Sequence, residues 1–306
     1  MKTALAFLVL GLLPQEGDLA QLLVREAEGK QRDRALLLRS LSAVDEETKK
    51  TPANPNNHYA RGWFLSRLGR PDESVAAYDE ATRLKPSMAD AAYNAGVVLS
   101  GNGKPDEAVA HWKVALAADP KHVDALYNLG QFSYNRKDFK VALDYWSKAR
   151  GLDPTDFNIL KKVLQSHHAL GHAEEASKAR QALLELRKTS EDPRVRALKS
   201  VVFDQFDVGK AHVYAIEMFE PEGDLYSVYR FQVVDAADVP QGTVDLESSA
   251  AIRELGTPYV LGLSLGPKRI TTDQFFKALP SYADLKPLLV PLVEKHFEKL
   301  VKGTPQ

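Results

Sequence analysis

The chain contains no cysteine among its 306 residues. This absence excludes disulfide bonds, zinc–thiolate sites, cysteine nucleophiles and a lipidated N-terminal cysteine. An excess of charge of one sign is also missing, because 40 basic residues stand against 41 acidic ones and the formal net charge is −1. A domain that binds nucleic acid usually carries a clustered basic excess, so we expect no nucleic-acid partner.

The first residues have the layout of a secretory signal peptide. The positive start Met1-Lys2-Thr3 is followed by an apolar stretch, Ala4–Leu13. A stretch of this length is too short to span a bilayer but matches the apolar region of a signal peptide. Ala20 is a candidate cleavage position, although Asp18 stands where a small neutral residue is expected. We therefore expect residues 1–20 to be a signal peptide and the chain to be periplasmic or secreted. If Ala4–Leu13 is instead a structural helix, the chain is cytoplasmic.

A proline recurs at a constant interval of 34 residues, at Pro52, Pro86, Pro120 and Pro154. Small and bulky residues recur at the same interval, namely Gly62, Gly96 and Gly130, Ala81, Ala115 and Ala149, and Tyr78, Trp112 and Trp146. A repeat of this length is typical of a pair of antiparallel helices. The small residues let the two helices approach closely, the bulky residues fill the space between pairs, and the closing proline ends the second helix.

These residues resemble the tetratricopeptide-repeat family over residues 55–188, and the match is clearest over residues 55–154. The resemblance implies an all-α solenoid, which we expect to cover residues 21–190 with degenerate repeats at both ends. The upstream end has Glu28 for glycine and Glu47 for alanine, and the downstream end has Arg180 where the aromatic residue belongs.

After Pro193 the hydrophobic pattern changes from helical to alternating. Alternation rich in Val, Tyr and Phe predicts about five strands with short connections, and hence an antiparallel sheet. These strands are Val201–Val208, Ala211–Phe219, Leu225–Val234, Gly242–Glu247 and Tyr259–Leu265. A helix is predicted over Pro287–Lys302, with Leu289, Val293, Phe297 and Leu300 on one face. Residues 195–306 are therefore expected to form a small α+β domain.

Two patterns suggest chemistry. Gly262-Leu263-Ser264-Leu265-Gly266 matches the nucleophile elbow of hydrolases, and His296 follows in the expected order. The following Gly266-Pro267 predicts a turn rather than the helix that an elbow requires, so Ser264 is better interpreted as a strand residue. His168 and His172 have helical i, i+4 spacing, but a zinc site usually needs further ligands, and solvated histidines are expected. We predict no metal and no cofactor.

The resemblance implies that the first helix of each repeat lines a concave groove for a protein or peptide partner. The residues that it places in the groove are Tyr59, Trp63, Arg67, Asp90, Tyr93, Val97, Asp124, Tyr127, Gln131, Tyr134, Lys161, Gln165 and His168. The tyrosines and the neighbouring Asn94 and Asn128 also have a packing interpretation. Acidic residues at the early positions argue against a clamp for C-terminal carboxylates. We expect a non-catalytic interaction scaffold. The alternatives are a small-ligand or envelope-polymer site in the C-terminal domain and a hydrolase using Ser264.

Overall fold

The computed structural model describes residues 20, 23–24, 27, 33–198, 200–218, 226–248, 259–265, 268–277, 280 and 282–303. The predicted signal peptide lies outside the described residues except for Ala20, which is helical and buried. The chain divides into two compact units, Met1–Arg136 and Lys137–Gln306. The second unit therefore contains the last helices of the repeat region together with the predicted sheet domain.

The described part of the first unit consists of helices joined by tight turns. Its helices are α1 (Arg34–Lys50), α2 (Pro55–Arg67), α3 (Pro71–Leu84), α4 (Ala89–Gly101), α5 (Pro105–Ala118) and α6 (Val123–Asn135). Prolines at the first positions of α2, α3 and α5 suit helix starts, because the first backbone N–H groups of a helix need no intrahelical acceptor. The Asn54 side chain caps α2 by accepting a hydrogen bond from the backbone N–H of Asn56 at 3.0 Å.

Recurring glycines permit close contact between the two helices of a repeat. A Cβ added to Gly62 would lie 2.8 Å from the Tyr78 ring, and one added to Gly96 would lie 2.5 Å from Trp112 Nε1. Both aromatic side chains are buried, as are Ala81 and Ala115. The predicted packing of small residues against aromatic ones is therefore confirmed in these two repeats.

The same architecture continues into the second unit. Its helices are α7 (Phe139–Leu152), α8 (Phe157–Ala169), α9 (Ala173–Thr189) and the short α10 (Pro193–Arg196). The first helices of the repeats begin at Pro55, Ala89, Val123 and Phe157, which is the 34-residue interval expected from the prolines. The all-α repeat region predicted from the sequence is confirmed.

The C-terminal part of the second unit contains a six-stranded antiparallel sheet. The strands are β1 (Ser200–Val208), β2 (Ala211–Met218), β3 (Tyr226–Val234), β4 (Pro240–Ser248), β5 (Tyr259–Leu265) and β6 (Lys268–Phe276), and they are hydrogen-bonded in sequence order. The prediction of five strands missed β6, because Gly266-Pro267 was interpreted as a turn and no strand was predicted after it. The apolar alternation in the sequence of β6 is weak because the half-buried positions hold the polar Thr272 and Gln274 as well as Ile270 and Phe276.

One face of the sheet packs against α11 (Tyr282–His296), which is followed by α12 (Glu298–Lys302). Leu289, Val293 and Phe297 are buried in this core, as predicted. The helix begins five residues before the predicted start at Pro287, because Tyr282 and Leu285 also pack into the core. Pro287 therefore lies inside the helix rather than at its beginning.

Across the described ranges, no helix combines the length and apolar character needed to span a membrane.

Candidate functional site

The first helices of successive repeats in the first unit are connected by a repeated pair of side chains. Asn94 Nδ2 donates a hydrogen bond to Tyr59 Oη at 2.9 Å, and Asn128 Nδ2 donates to Tyr93 Oη at 3.4 Å. The Tyr59 ring also packs edge-on against Tyr78, with ring centroids 5.5 Å apart. The packing interpretation of these tyrosines and asparagines therefore has direct contacts to support it.

Two predicted groove carboxylates extend into solvent beside this Tyr–Asn pair. Asp90 has 74% of its side-chain surface exposed, and its Oδ1 lies 3.4 Å from His122 Nε2. The His122 ring packs against Tyr93 at a centroid distance of 4.7 Å. Burial, followed by the neighbouring Asp124 carboxylate, raises the pKa of Tyr93. Asp124 is itself exposed. The predicted groove thus carries exposed negative charge next to partly buried aromatic rings.

A cavity of about 300 Å³ lies among the first unit's helices α4, α5 and α6. Val97 and Gln131, both predicted groove residues, line it together with Phe132, Asn128 and Trp112. Val97 is 41% exposed at the edge of this cavity. Phe132 was not predicted as a site residue, because its place in the repeat is not one that the family resemblance assigns to the groove.

The remaining predicted residues of the first unit differ in exposure. Trp63 is buried at 7% and carries the Arg67 guanidinium over its ring at 5.0 Å. Arg67 itself is exposed, whereas Tyr127 and Tyr134 are half-buried. These groove residues therefore expose the edges and polar ends of their aromatic side chains to a partner more than the full ring faces.

In the second unit, a lysine occupies the repeat position of Asn94 and Asn128. The ammonium group of Lys162 lies 5.6 Å from the centre of the Trp146 ring. Burial, with a smaller contribution from the neighbouring Lys161, lowers the pKa of Lys162 to about 8. Lys161, the predicted groove residue, is half-buried.

The last two predicted groove residues contact the sheet. Gln165 Nε2 donates a hydrogen bond to the Val202 carbonyl oxygen at 2.9 Å. His168 stacks on Phe203 with a centroid distance of 4.1 Å and is only 7% exposed. The expectation of a solvated His168 was wrong, because strand β1 covers this side of α8.

A buried ion pair joins the same repeat to strand β2. Arg180 Nε lies 2.5 Å from Glu217 Oε1, and the Glu217 side chain is 1% exposed. His168 Nε2 lies 3.6 Å from the other carboxylate oxygen of Glu217. Arg180 thus departs from the aromatic repeat position because it pairs with a carboxylate of the sheet. The arginine at a position that is aromatic in the other repeats is the feature of the sequence that could have indicated this contact.

The arrangement around Ser264 differs from that of a nucleophile elbow. Ser264 lies within β5, and β6 rather than a helix follows it. Its neighbour Leu263 belongs to the core under α11, so the alternation of side chains places Ser264 on the opposite face of the sheet from α11, which carries His296. Gly262 has a packing explanation, because an added Cβ would lie 2.5 Å from Glu247 Oε1.

The histidines near the end of α8 do not act as one group. His167 Nδ1 and His172 Nδ1 lie 3.5 Å apart, whereas His168 is buried against Phe203. Burial, and next the neighbouring His172, lowers the pKa of His167. Within the part of the chain that the structure describes, no group of three or more His, Asp or Glu side chains has a geometry suited to a metal ion.

A comparison with family models agrees with the repeat architecture. A family model described as "Tetratricopeptide repeat" matches residues 59–100 and 97–157. A solved structure of a double mutant of MamA RS-1 is 20% identical, with a TM-score of 0.48, and the match covers 58% of this chain and 98% of that chain. MamA from Desulfovibrio magneticus RS-1 is 19% identical, with a TM-score of 0.45 and coverage of 58% and 99%. YrrB, titled a TPR protein with an unusual peptide-binding site, is 18% identical, with a TM-score of 0.43 and coverage of 58% and 86%. A comparison with curated proteins found no match.

Proposed function

Because residues 59–157 belong to the tetratricopeptide-repeat family, we propose that this protein is a non-catalytic interaction scaffold. The predicted groove residues on α2, α4 and α6 bind an extended segment of a partner protein. The observation that carries this proposal is the cavity of about 300 Å³ beside the exposed Val97, on helices α4 and α6 that also carry the exposed Asp90 and Asp124. Fold alone does not identify a partner, so the chemistry of these residues has to indicate it.

The charges and the cavity favour a basic, partly apolar segment. Asp90 and Asp124 are exposed and attract lysine or arginine side chains of a partner. The cavity lined by Val97 and Phe132 accepts an apolar side chain, and burial of such an anchor contributes most of the binding energy in many interfaces. The near-zero net charge of the whole chain makes nucleic acid a poor partner.

Selection of random displayed peptides on the full-length protein tests this proposal. We expect the selected peptides to share an apolar residue close to lysine or arginine. The Val97→Asp variant should weaken binding of a selected peptide by about tenfold or more, because it places a charge in the apolar cavity. The measurement is a binding titration followed by fluorescence anisotropy.

Val114→Asp is the matched control for Val97→Asp. Val114 is 45% exposed on α5, compared with 41% for Val97 on α4, and it is not among the residues that line the cavity. Both variants should remain folded by circular dichroism, and only Val97→Asp should lose the peptide. Equal loss in both variants, or no loss in either, would contradict the use of this groove.

Export of the protein is also part of the proposal. The positive start and the apolar stretch Ala4–Leu13 support it, and the partner would then be met in the periplasm or outside the cell. Fusion of residues 1–30 to alkaline phosphatase, an enzyme active only after export, should give activity. A Leu8→Arg/Leu12→Arg variant should abolish that activity because it interrupts the apolar region. Activity that persists in this variant would argue against a signal peptide.

A further inference from the structure

A cleft of about 490 Å³ lies in the second unit between the end of α8, strand β1 and helix α11. Its volume is within the range of sites that hold small organic ligands. Phe139, Leu170, Pro287 and Val290 contribute apolar surface to its walls. Asp204, Tyr282 and Lys286 contribute the polar end, and the buried His168 also lines the cleft. The cleft therefore has the combination of apolar walls and few polar groups that is typical of a ligand site.

The side chains of Asp204, Tyr282 and Lys286 form a fixed group. Lys286 Nζ donates a hydrogen bond to Asp204 Oδ2 at 2.9 Å, and the Tyr282 hydroxyl donates to the same oxygen. The Lys286 ammonium also lies 4.9 Å from the centre of the Phe206 ring and 5.4 Å from that of Tyr282. These contacts restrict the Lys286 side chain, which is flexible in most settings, to one orientation.

Within this group the positive charge is the accessible one. The Asp204 side chain is 15% exposed, whereas the Lys286 side chain is 43% exposed. An ammonium group has three N–H donors, and the bond to Asp204 uses one of them. Lys286 can therefore donate further hydrogen bonds to an acceptor in the cleft while Asp204 keeps it in position.

We propose that this cleft binds an amphipathic small molecule with a single carboxylate. The carboxylate accepts hydrogen bonds from Lys286, and the apolar body packs against Phe139, Leu170 and Val290. A neutral acceptor such as an ester carbonyl forms a weaker hydrogen bond with the ammonium than a carboxylate does, because both partners are charged only in the second case. A cationic ligand would be repelled by the same group. This site is separate from the groove proposed above, and neither proposal depends on the other.

Dansyl-labelled undecanoic acid and its methyl ester are suitable probes, because they share one apolar body and differ in the charge of the head. Titration of each into the full-length protein is followed by dansyl fluorescence. We expect the acid to bind at least about tenfold more tightly than the ester, as a charge-assisted hydrogen bond in a partly enclosed site implies. Equal affinities, or no binding of the acid, would refute the proposal.

Three variants locate the binding. Lys286→Met keeps the apolar stem and removes the charge, so the preference for the acid should disappear. Ala283→Trp fills the cleft from an exposed position on its rim and should prevent binding of both probes. Lys295→Met, on the same helix at an exposed position that does not line the cleft, should bind like the unmodified protein. Binding of the acid that is unchanged in both Lys286→Met and Ala283→Trp would place the probe elsewhere and overturn the assignment.

Discussion

At the scale of single residues, the turn between α6 and α7 departs from the other repeat turns. Gly69, Gly103 and Gly171 have φ values of 74°, 75° and 71°, and the equivalent Lys137 has a φ of 64°. The left-handed region costs a residue with a Cβ about 1–2 kcal/mol relative to its preferred conformation. Lys137 therefore accepts a conformation that glycine adopts without this cost.

We expect Lys137→Gly to stabilise the protein by about 1 kcal/mol. The relief of the left-handed conformation outweighs the entropy that glycine adds to the unfolded chain. Urea unfolding at constant pH, with the same m-value for both proteins, measures the change in the free energy of unfolding.

Gly103→Ala provides the opposite substitution at the same position of the preceding repeat. Nothing lies within 4 Å of a Cβ placed on Gly103, so only its φ of 75° makes alanine unfavourable. This variant should be destabilised by about 1 kcal/mol. If Lys137→Gly destabilises by as much as Gly103→Ala, the strain assigned to Lys137 is wrong.

At the scale of elements, α8 and α9 lose the repeat pattern where they contact the sheet. Gln165 donates to β1, His168 stacks on a β1 side chain, and Arg180 pairs with Glu217 of β2. The groove positions of this repeat are thus partly used within the chain. Degeneracy in a terminal repeat usually indicates a cap, and here the cap is a folded sheet.

Removal of the buried carboxylate should affect helices and sheet together. We expect Glu217→Ala to destabilise the second unit by about 3–5 kcal/mol, because it leaves the Arg180 charge partly buried beside an apolar site. Hydrogen exchange measured by mass spectrometry should show faster exchange in α8, α9 and the sheet, with α2–α5 unchanged.

A double variant separates the charge from the packing. In Arg180→Met/Glu217→Leu both charges are replaced by apolar groups of similar size, and most of the lost stability should return. Faster exchange confined to β2 in Glu217→Ala would show that the ion pair does not couple the helices to the sheet.

Helices and strands with a strong hydrophobic periodicity in the sequence were predicted better than elements in which that periodicity is weak. The helices of the central repeats and strands β1–β5 place apolar residues in the core at helical or strand spacing. Strand β6 has polar residues at two of its half-buried positions and an exposed Phe275, so its sequence lacks the apolar alternation that predicts a strand. The start of α11 was missed because proline is usually found at the start of a helix, so the helix was predicted to begin at Pro287, which in fact lies inside it.

At the scale of the whole molecule, the chain divides at Arg136 and Lys137, in the turn between the two helices of the repeat formed by α6 and α7. The 34-residue interval continues across this position without change. Repeat proteins are stabilised by contacts between neighbours, so a regular sequence does not show where one compact unit ends. Strand β1 contacts α8, and both belong to the second unit.

The sequence by itself determined the repeat, its interval and the residues that pack within each helix pair, because these contacts are local and recur at a constant spacing. It also indicated the antiparallel sheet and the apolar face of α11. Only the tertiary structure decided that His168 is buried, that Arg180 pairs with Glu217 and that Lys286 faces a cleft with Asp204 behind it. The two members of each of these ionic contacts are separated by tens of residues, Arg180 from Glu217 and Lys286 from Asp204. No periodic pattern links such residues, so only the packing of β1, β2 and α11 brings them together.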